Sequence, residues 1–130
     1  MPLKITVFRA SKLRRVPGRP RDPKFVVIRA SGCANSVPEQ RSVDAPGKGR
    51  GAQWQSGGAG LTLHVEQSMA STPKFELAIE VHSRRSSDES VFIGSARLHG
   101  DTLDQNGRQW VELTEEQSGP AGILEIEASW

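Results

Sequence analysis

Apolar and polar side chains alternate along this chain in several short runs. Leu3, Ile5 and Val7 are separated by Lys4 and Thr6, and Leu61, Leu63 and Val65 by Thr62 and His64. Phe75, Leu77, Ile79 and Val81 are separated by Glu76, Ala78 and Glu80. In 123–130, Ile123, Glu125, Glu127 and Ser129 alternate with Leu124, Ile126, Ala128 and Trp130. Successive side chains of a strand point to opposite faces, so each run predicts a half-buried strand. Phe8 breaks the alternation, which predicts a strand end covered on both faces, with Ala10 and Leu13 turned inward. The β-branched run in KFVVIR (24–29) predicts a second strand, QRSVD (40–44) a short third one, and 91–98 and 108–113 the sixth and seventh. Eight strands and no helical period make an all-β domain. Turn signals at short, regular intervals favour an eight-stranded antiparallel β-sandwich over a barrel.

The connections carry the breakers. Pro17, Gly18 and Pro20 exclude helix from the loop over 11–22. The stretch 45–60 is rich in Gly, Ser and Gln around a lone Trp54, which reads as a loop with one buried anchor. SRRSSDES (83–90), 101–107 and TEEQSGPAG (114–122) read as further loops. At 130 residues, 1–130 is read as a single domain large enough to bury a core unaided. It ends on a strand, which reads as a domain cut from a longer protein. No apolar run approaches about 18 residues, the length a spanning helix needs. MPLKITVFRA is too polar and too alternating for a signal peptide. The single cysteine, Cys33, cannot form an internal disulfide, and together these features predict a reducing, cytoplasmic setting.

Charge changes the picture. The net charge is only +2, yet residues 1–50 hold twelve Lys and Arg against three Asp and Glu, whereas residues 51–130 hold five against twelve. The segment LRRVPGRPRDPKF (13–25) concentrates four arginines and three of the eight prolines between two strands. A basic segment of this kind predicts an acidic partner.

The order of these elements resembles the C2 domain. LKITVFRASKL is similar to that family's L-x-V-x-V-x-x-A-x-x-L through Leu3, Ile5, Val7, Ala10 and Leu13. Asp22-Pro23 matches the D-P that opens the second strand, and Trp54 stands at the Trp of N-P-x-W. FELAIEV matches L-x-I-x-V, and Ile93-Gly94 with Ala96 and Leu98 matches I-G-x-A-x-x-L. Trp110 and Leu113 match W-x-x-L, and GILEIEASW matches the closing G-x-L-x-I strand. The resemblance covers the whole chain and implies the family's type II circular order.

The departures from the family pattern bear on calcium. The resemblance implies a Ca²⁺ site built from aspartates on three loops, because Ca²⁺ takes six to eight oxygen ligands. Only Asp22 stands at a matching position. Val16 replaces the acidic residue before it, Ser83-Arg84-Arg85 replaces the D-x-D, and Val91 replaces the acidic residue before the I-G glycine; Asp88 and Glu89 lie off register. Lys24 replaces the Tyr of D-P-Y. The ligand count predicts no high-affinity calcium site, no metal and no cofactor.

By the same resemblance the loops 11–21, 45–56 and 83–90 meet at one end. They bring Lys12, Arg14, Arg15, Arg19, Arg21, Lys48, Arg50, Arg84 and Arg85 together against Asp88 and Glu89. Arginine forks onto phosphate, so these nine cations predict binding to anionic phospholipid, a phosphoinositide or phosphatidic acid, at a peripheral membrane surface. The alternative is a protein-interaction C2 domain of a scaffolding, ciliary or centrosomal protein, docking an acidic partner. His64, His82 and His99 lack metal-ligand spacing and are read as ordinary surface, with His64 and His82 on outward strand positions. No G-x-S-x-G or P-loop occurs, so no enzyme is expected. Four Phe, three Trp and no Tyr leave no stacking platform, so no nucleic acid is expected. Trp54, Trp110 and Trp130 are read as core or sheet-edge packing.

Overall fold

The structure, a computed structural model, describes residues 2–15, 22–32, 37–48, 50–54, 58–64, 75–100 and 107–129. Cys33, Val65 and Trp130 lie outside the described residues. Ten strands run through the described ones: β1 (Pro2–Ser11), β2 (Lys24–Ser31), β3 (Gln40–Arg41), β4 (Gly47–Lys48), β5 (Gly51–Gln53), β6 (Ala59–His64), β7 (Glu76–Arg84), β8 (Ser90–His99), β9 (Arg108–Glu115) and β10 (Gly119–Ser129). All pair antiparallel, and no helix occurs among the described residues.

The hydrogen-bonded path is β3-β2-β7-β8-β9-β10-β1-β5-β4, with β6 also on β1. It curls into two layers. One holds β3, β2, β7 and β8; the other holds β9, β10 and β1, with β5 and β6 in succession along β1's far edge. A single rung, Ser95 to Thr114, joins the layers along the β8–β9 seam among the described residues. The expected alternation becomes the core directly. Leu3, Ile5 and Val7 of β1 and Leu124, Ile126 and Ala128 of β10 are buried in one cluster with Val26 and Ile28 of β2 and Leu77, Ile79 and Val81 of β7. Ala10 and Leu13 are buried as well. The last strand lies beside the first, from Lys4 opposite Ser129 to Ser11 opposite Ile123, as the type II order requires.

Three elements differ from the expected eight strands. The third strand shrinks to β3, because at Ser42 the hydroxyl rather than the carbonyl accepts from the Val26 N–H at 2.8 Å, while the Ser42 N–H still donates to the Val26 carbonyl at 2.8 Å. The 45–60 loop contains the β4–β5 hairpin, which docks on β1 through Arg9–Gln53 and Ala10–Ala52. Its expected anchor holds, since Trp54 is 3% exposed and donates Nε1–H to the Val43 carbonyl at 2.9 Å. The 114–122 loop is a tight β9–β10 turn instead, with Gly119 at φ 76 supplying the left-handed conformation such a turn needs.

Phe8 sits beside a bulge between Val7 and Arg9. It is half-buried on the outer face, with the Arg108 guanidinium 3.9 Å from its ring centroid. Beside it, Arg9 lies 5.0 Å from the ring of Trp110, and both arginines face Glu125, at 3.4 and 4.0 Å. Trp110 is thus a partly exposed face residue, covered by a cation rather than by core.

Candidate functional site: the basic end of the sandwich

The C-terminal ends of β1 and β7 and the starts of β2 and β8 lie at one end of the sandwich, and hydrogen bonds between the loops tie them together. The Leu13 N–H donates to the Arg50 carbonyl at 2.8 Å, and Arg50 Nε–H returns a bond to the Leu13 carbonyl at 2.9 Å. The Arg84 N–H donates to the Pro23 carbonyl at 2.8 Å, and Lys24 and Ala45 exchange two backbone bonds of 2.8 Å. The described parts of the three basic loops therefore do come together.

Their cations do different jobs. Arg14 is half-buried; its Nε and Nη2 donate to the carbonyls of Ile93 and Phe92 at 3.0 and 2.7 Å, and its backbone N–H donates to the Ala121 carbonyl at 2.9 Å. It ties the first loop to the start of β8 and to β10. Arg84 donates Nε–H to Asp44 at 2.8 Å and stacks 4.6 Å over Phe25. Lys12, Arg15 and Arg85 are exposed and make no ion pair among the described residues. Arg50 is exposed and, among the described residues, its side chain bonds through Nε alone. Lys48 lies on β4, its side chain outside the described set; Arg19, Arg21 and Val16 lie outside the described residues altogether.

The β9–β10 turn also lies at this end, because β10 starts where β1 finishes. It adds Glu115 and Glu116, two carboxylates that a count over three loops leaves out. Glu115 Oε2 accepts from the backbone N–H groups of Ser118 and Gln117 at 2.7 and 3.1 Å, closing the turn. Hydrogen bonds from Ser118, then from Gln117, with Arg14 nearby, hold its carboxyl below the usual range. Among the described residues the positive charge is therefore local, set on the Lys12, Arg15, Arg50 and Arg85 edges.

Lys24 replaces the expected aromatic residue with a buried ammonium. Nζ donates to the Asp22 carbonyl at 2.6 Å and to Ser83 Oγ at 3.1 Å. Asp22 and Ser83 are the positions that the resemblance aligns with calcium ligands, so a side-chain cation of this chain lies between them. Burial lowers the Lys24 pKa, and the Asp22 charge offsets part of that. Between this lowered value and 10.5 the unfolded chain binds more protons than the folded one, so stability should rise with pH across that interval. Chemical denaturation at stepped alkaline pH should show that rise, and Lys24→Met should flatten it. Among the described residues no three His, Cys, Asp or Glu side chains gather to hold a metal ion.

His82 points outward, as its place on β7 predicts, but it is not ordinary surface. Its side chain is 18% exposed, stacked on Phe25 at 5.2 Å and edge-on to Phe92 at 5.6 Å, with Nε2 2.9 Å from Glu80 Oε1. The signal lay in the neighbouring strands: Phe25 and Phe92 are both register partners of His82.

The fold is shared with solved structures. A C2 domain of plant extended synaptotagmin 1 superposes with a TM-score of 0.76 at 16% identity, covering 98% of this chain and 92% of that one. Human GIVD cytosolic phospholipase A2 matches at TM-score 0.65 and 12% identity over 98% of this chain, which spans 16% of that enzyme. Its complex with methyl γ-linolenyl fluorophosphonate matches at TM-score 0.64 and 12% identity. No protein-family model matches the chain, and no curated protein matches it by sequence. Among the described residues no helix is long and apolar enough to cross a membrane.

Proposed function

We propose, taking the C2 fold of this chain as the premise, that it is a non-catalytic, calcium-independent membrane-targeting module of the cytoplasm. It binds anionic phospholipid through the exposed cations at the basic end. The observation that carries this reading is the set Lys12, Arg15, Arg50 and Arg85, exposed at one end of the sandwich with no carboxylate partner among the described residues. A cation near an anionic leaflet contributes about 1 kcal/mol. Four of them supply about 4 kcal/mol, a millimolar attraction; with Arg19, Arg21 and Lys48 added, about 7 kcal/mol approaches the micromolar range. The Lys24 ammonium supports independence from calcium, because it lies where a bound metal would have to compete with it.

Cosedimentation with vesicles containing phosphatidic acid or a phosphoinositide tests the proposal. Binding should rise with the anionic fraction, persist in chelator and fall as salt shortens the screening length to about 10 Å at 0.1 M. Absence of binding at low salt would overturn it and favour the second reading, a protein-docking C2 module. That reading draws on Trp110, 45% exposed on the outer face of β9.

A further inference from the structure

On the outer face of the β1–β10–β9 layer, at the basic end, lies a cleft of about 410 Å³. Its rim carries Lys12 and Arg50 on one side and Glu112 and Thr114 on the other, and its floor is the apolar surface of Ile123 and Pro120. The two cations are brought side by side by the reciprocal bonds between Leu13 and Arg50. Glu112 faces them because it is the register partner of Ile123, which in turn pairs with Ser11.

Two further features fix the shape of the cleft. Lys12 is the one non-glycine residue at positive φ, 55°, among the described residues. This conformation disfavours any side chain other than glycine, yet a lysine occupies it at the cleft rim. Gly122 has φ 133, and a Cβ there would lie 2.9 Å from Leu13 Cδ2 and 3.0 Å from the Ser11 carbonyl oxygen. Only glycine lets β10 press against the loop that carries Lys12.

We infer that this cleft binds a single phosphate-ester headgroup, with the phosphate held by Lys12 and the free terminal nitrogens of Arg50. The polyol of the headgroup, an inositol or glycerol unit, lies over Ile123 and donates hydroxyl hydrogen bonds to Glu112. Two cations facing one carboxylate across an apolar floor fit a ligand that is anionic at one end and a hydrogen-bond donor at the other. Inorganic phosphate satisfies only half of that. The inference rests on the membrane reading for its biological setting, but its chemistry is also met by a soluble inositol phosphate.

Amide shift mapping with myo-inositol 1-phosphate, glycerol 3-phosphate and inorganic phosphate tests it. The inositol phosphate should give saturable shifts at Thr114, Gly122 and Ile123, with inorganic phosphate binding at least about tenfold more weakly. Ile123→Trp, which fills the floor, should remove that saturable response. Lys12→Gly should weaken it by about tenfold while the melting temperature stays at or above that of the parent, since glycine suits the backbone there. Shifts confined to Arg15 and Arg85, equal binding of inorganic phosphate, or an unaltered response in Ile123→Trp would overturn the inference. The two readings separate cleanly. Vesicle binding without a saturable response at the cleft sinks the cleft alone. A saturable response without vesicle binding supports the cleft and sinks the membrane reading.

Discussion

Changing Lys12, Arg15 and Arg85 together to glutamate should weaken binding to anionic vesicles by more than about a hundredfold, with the melting temperature shifted by only a few degrees. Each neutralised cation removes about 1 kcal/mol of attraction to the surface, and each added carboxylate introduces repulsion. Three positions therefore account for at least about 3 kcal/mol. All three are exposed, and none is in an ion pair among the described residues, so the folded state loses little. The choice of residues matters. Arg14 and Arg84 are equally basic in the sequence, but Arg14 bonds the Phe92 and Ile93 carbonyls and Arg84 bonds Asp44 and stacks on Phe25. Reversing those two mixes a loss of binding with a loss of stability. Vesicle pelleting alongside thermal melts checks the outcome. A triple variant that binds as the parent does would show that the exposed cations are not the contact.

Gly94→Ala should destabilise the domain by about 2–3 kcal/mol, the upper part of the usual range for an overfilled core. Gly94 lies on β8 with its backbone pressed against the opposite layer. A Cβ added there would stand 2.5 Å from the Ala121 Cβ and 3.3 Å from both the Leu113 Cβ and the Thr114 carbonyl oxygen. The nearest neighbours are short and fixed, so no flexible side chain can swing away, and the layers themselves have to part. The same contact predicts coupling. Placing Ala121→Gly in the Gly94→Ala background should recover at least about 1 kcal/mol beyond additivity, because it removes the atom the new methyl meets. Urea denaturation of the four proteins of this cycle measures that number. Strict additivity would mean that the close approach is not what requires glycine at this position.

The long strands were legible because each buries one face, and period-two alternation follows directly from that. Leu3, Ile5, Val7, Leu77, Ile79 and Val81 were placed correctly by pattern alone. The β4–β5 hairpin was not, since GKGRGAQ has no apolar alternation; β5 pairs with β1 and β4 with β5, and the inward residue, Ala52, is too small and too isolated to mark an apolar face. The β9–β10 turn was read as a longer loop because its strands continue through Glu115 and Pro120, residues without strand propensity, and depend on a left-handed Gly119. At the basic end, the sequence showed where cations cluster along the chain but not which of them are spent on the fold. The partners of Arg14 lie 78 and 79 residues away, a distance at which no local pattern carries information. Lys24 was legible as a departure from the family's aromatic residue, yet its ammonium bond to Ser83 depends on the register of β2 against β7.

The β8–β9 seam has a consequence for the behaviour of the chain in concentrated solution. Among the described residues, past the Ser95–Thr114 rung, β8 and β9 each present a backbone edge that another strand could extend. Trp110 adds an apolar surface beside that edge, the combination from which aggregates grow. The side chains of Arg97 and Arg108, on those two strands, are 80% and 60% exposed. A second copy approaching edge to edge would have to strip water from these guanidinium groups and from the carboxylates beside them, Glu76 and Glu125. Among the described residues the seam is thus open in backbone terms and flanked by charged side chains, the arrangement that disfavours edge-to-edge pairing.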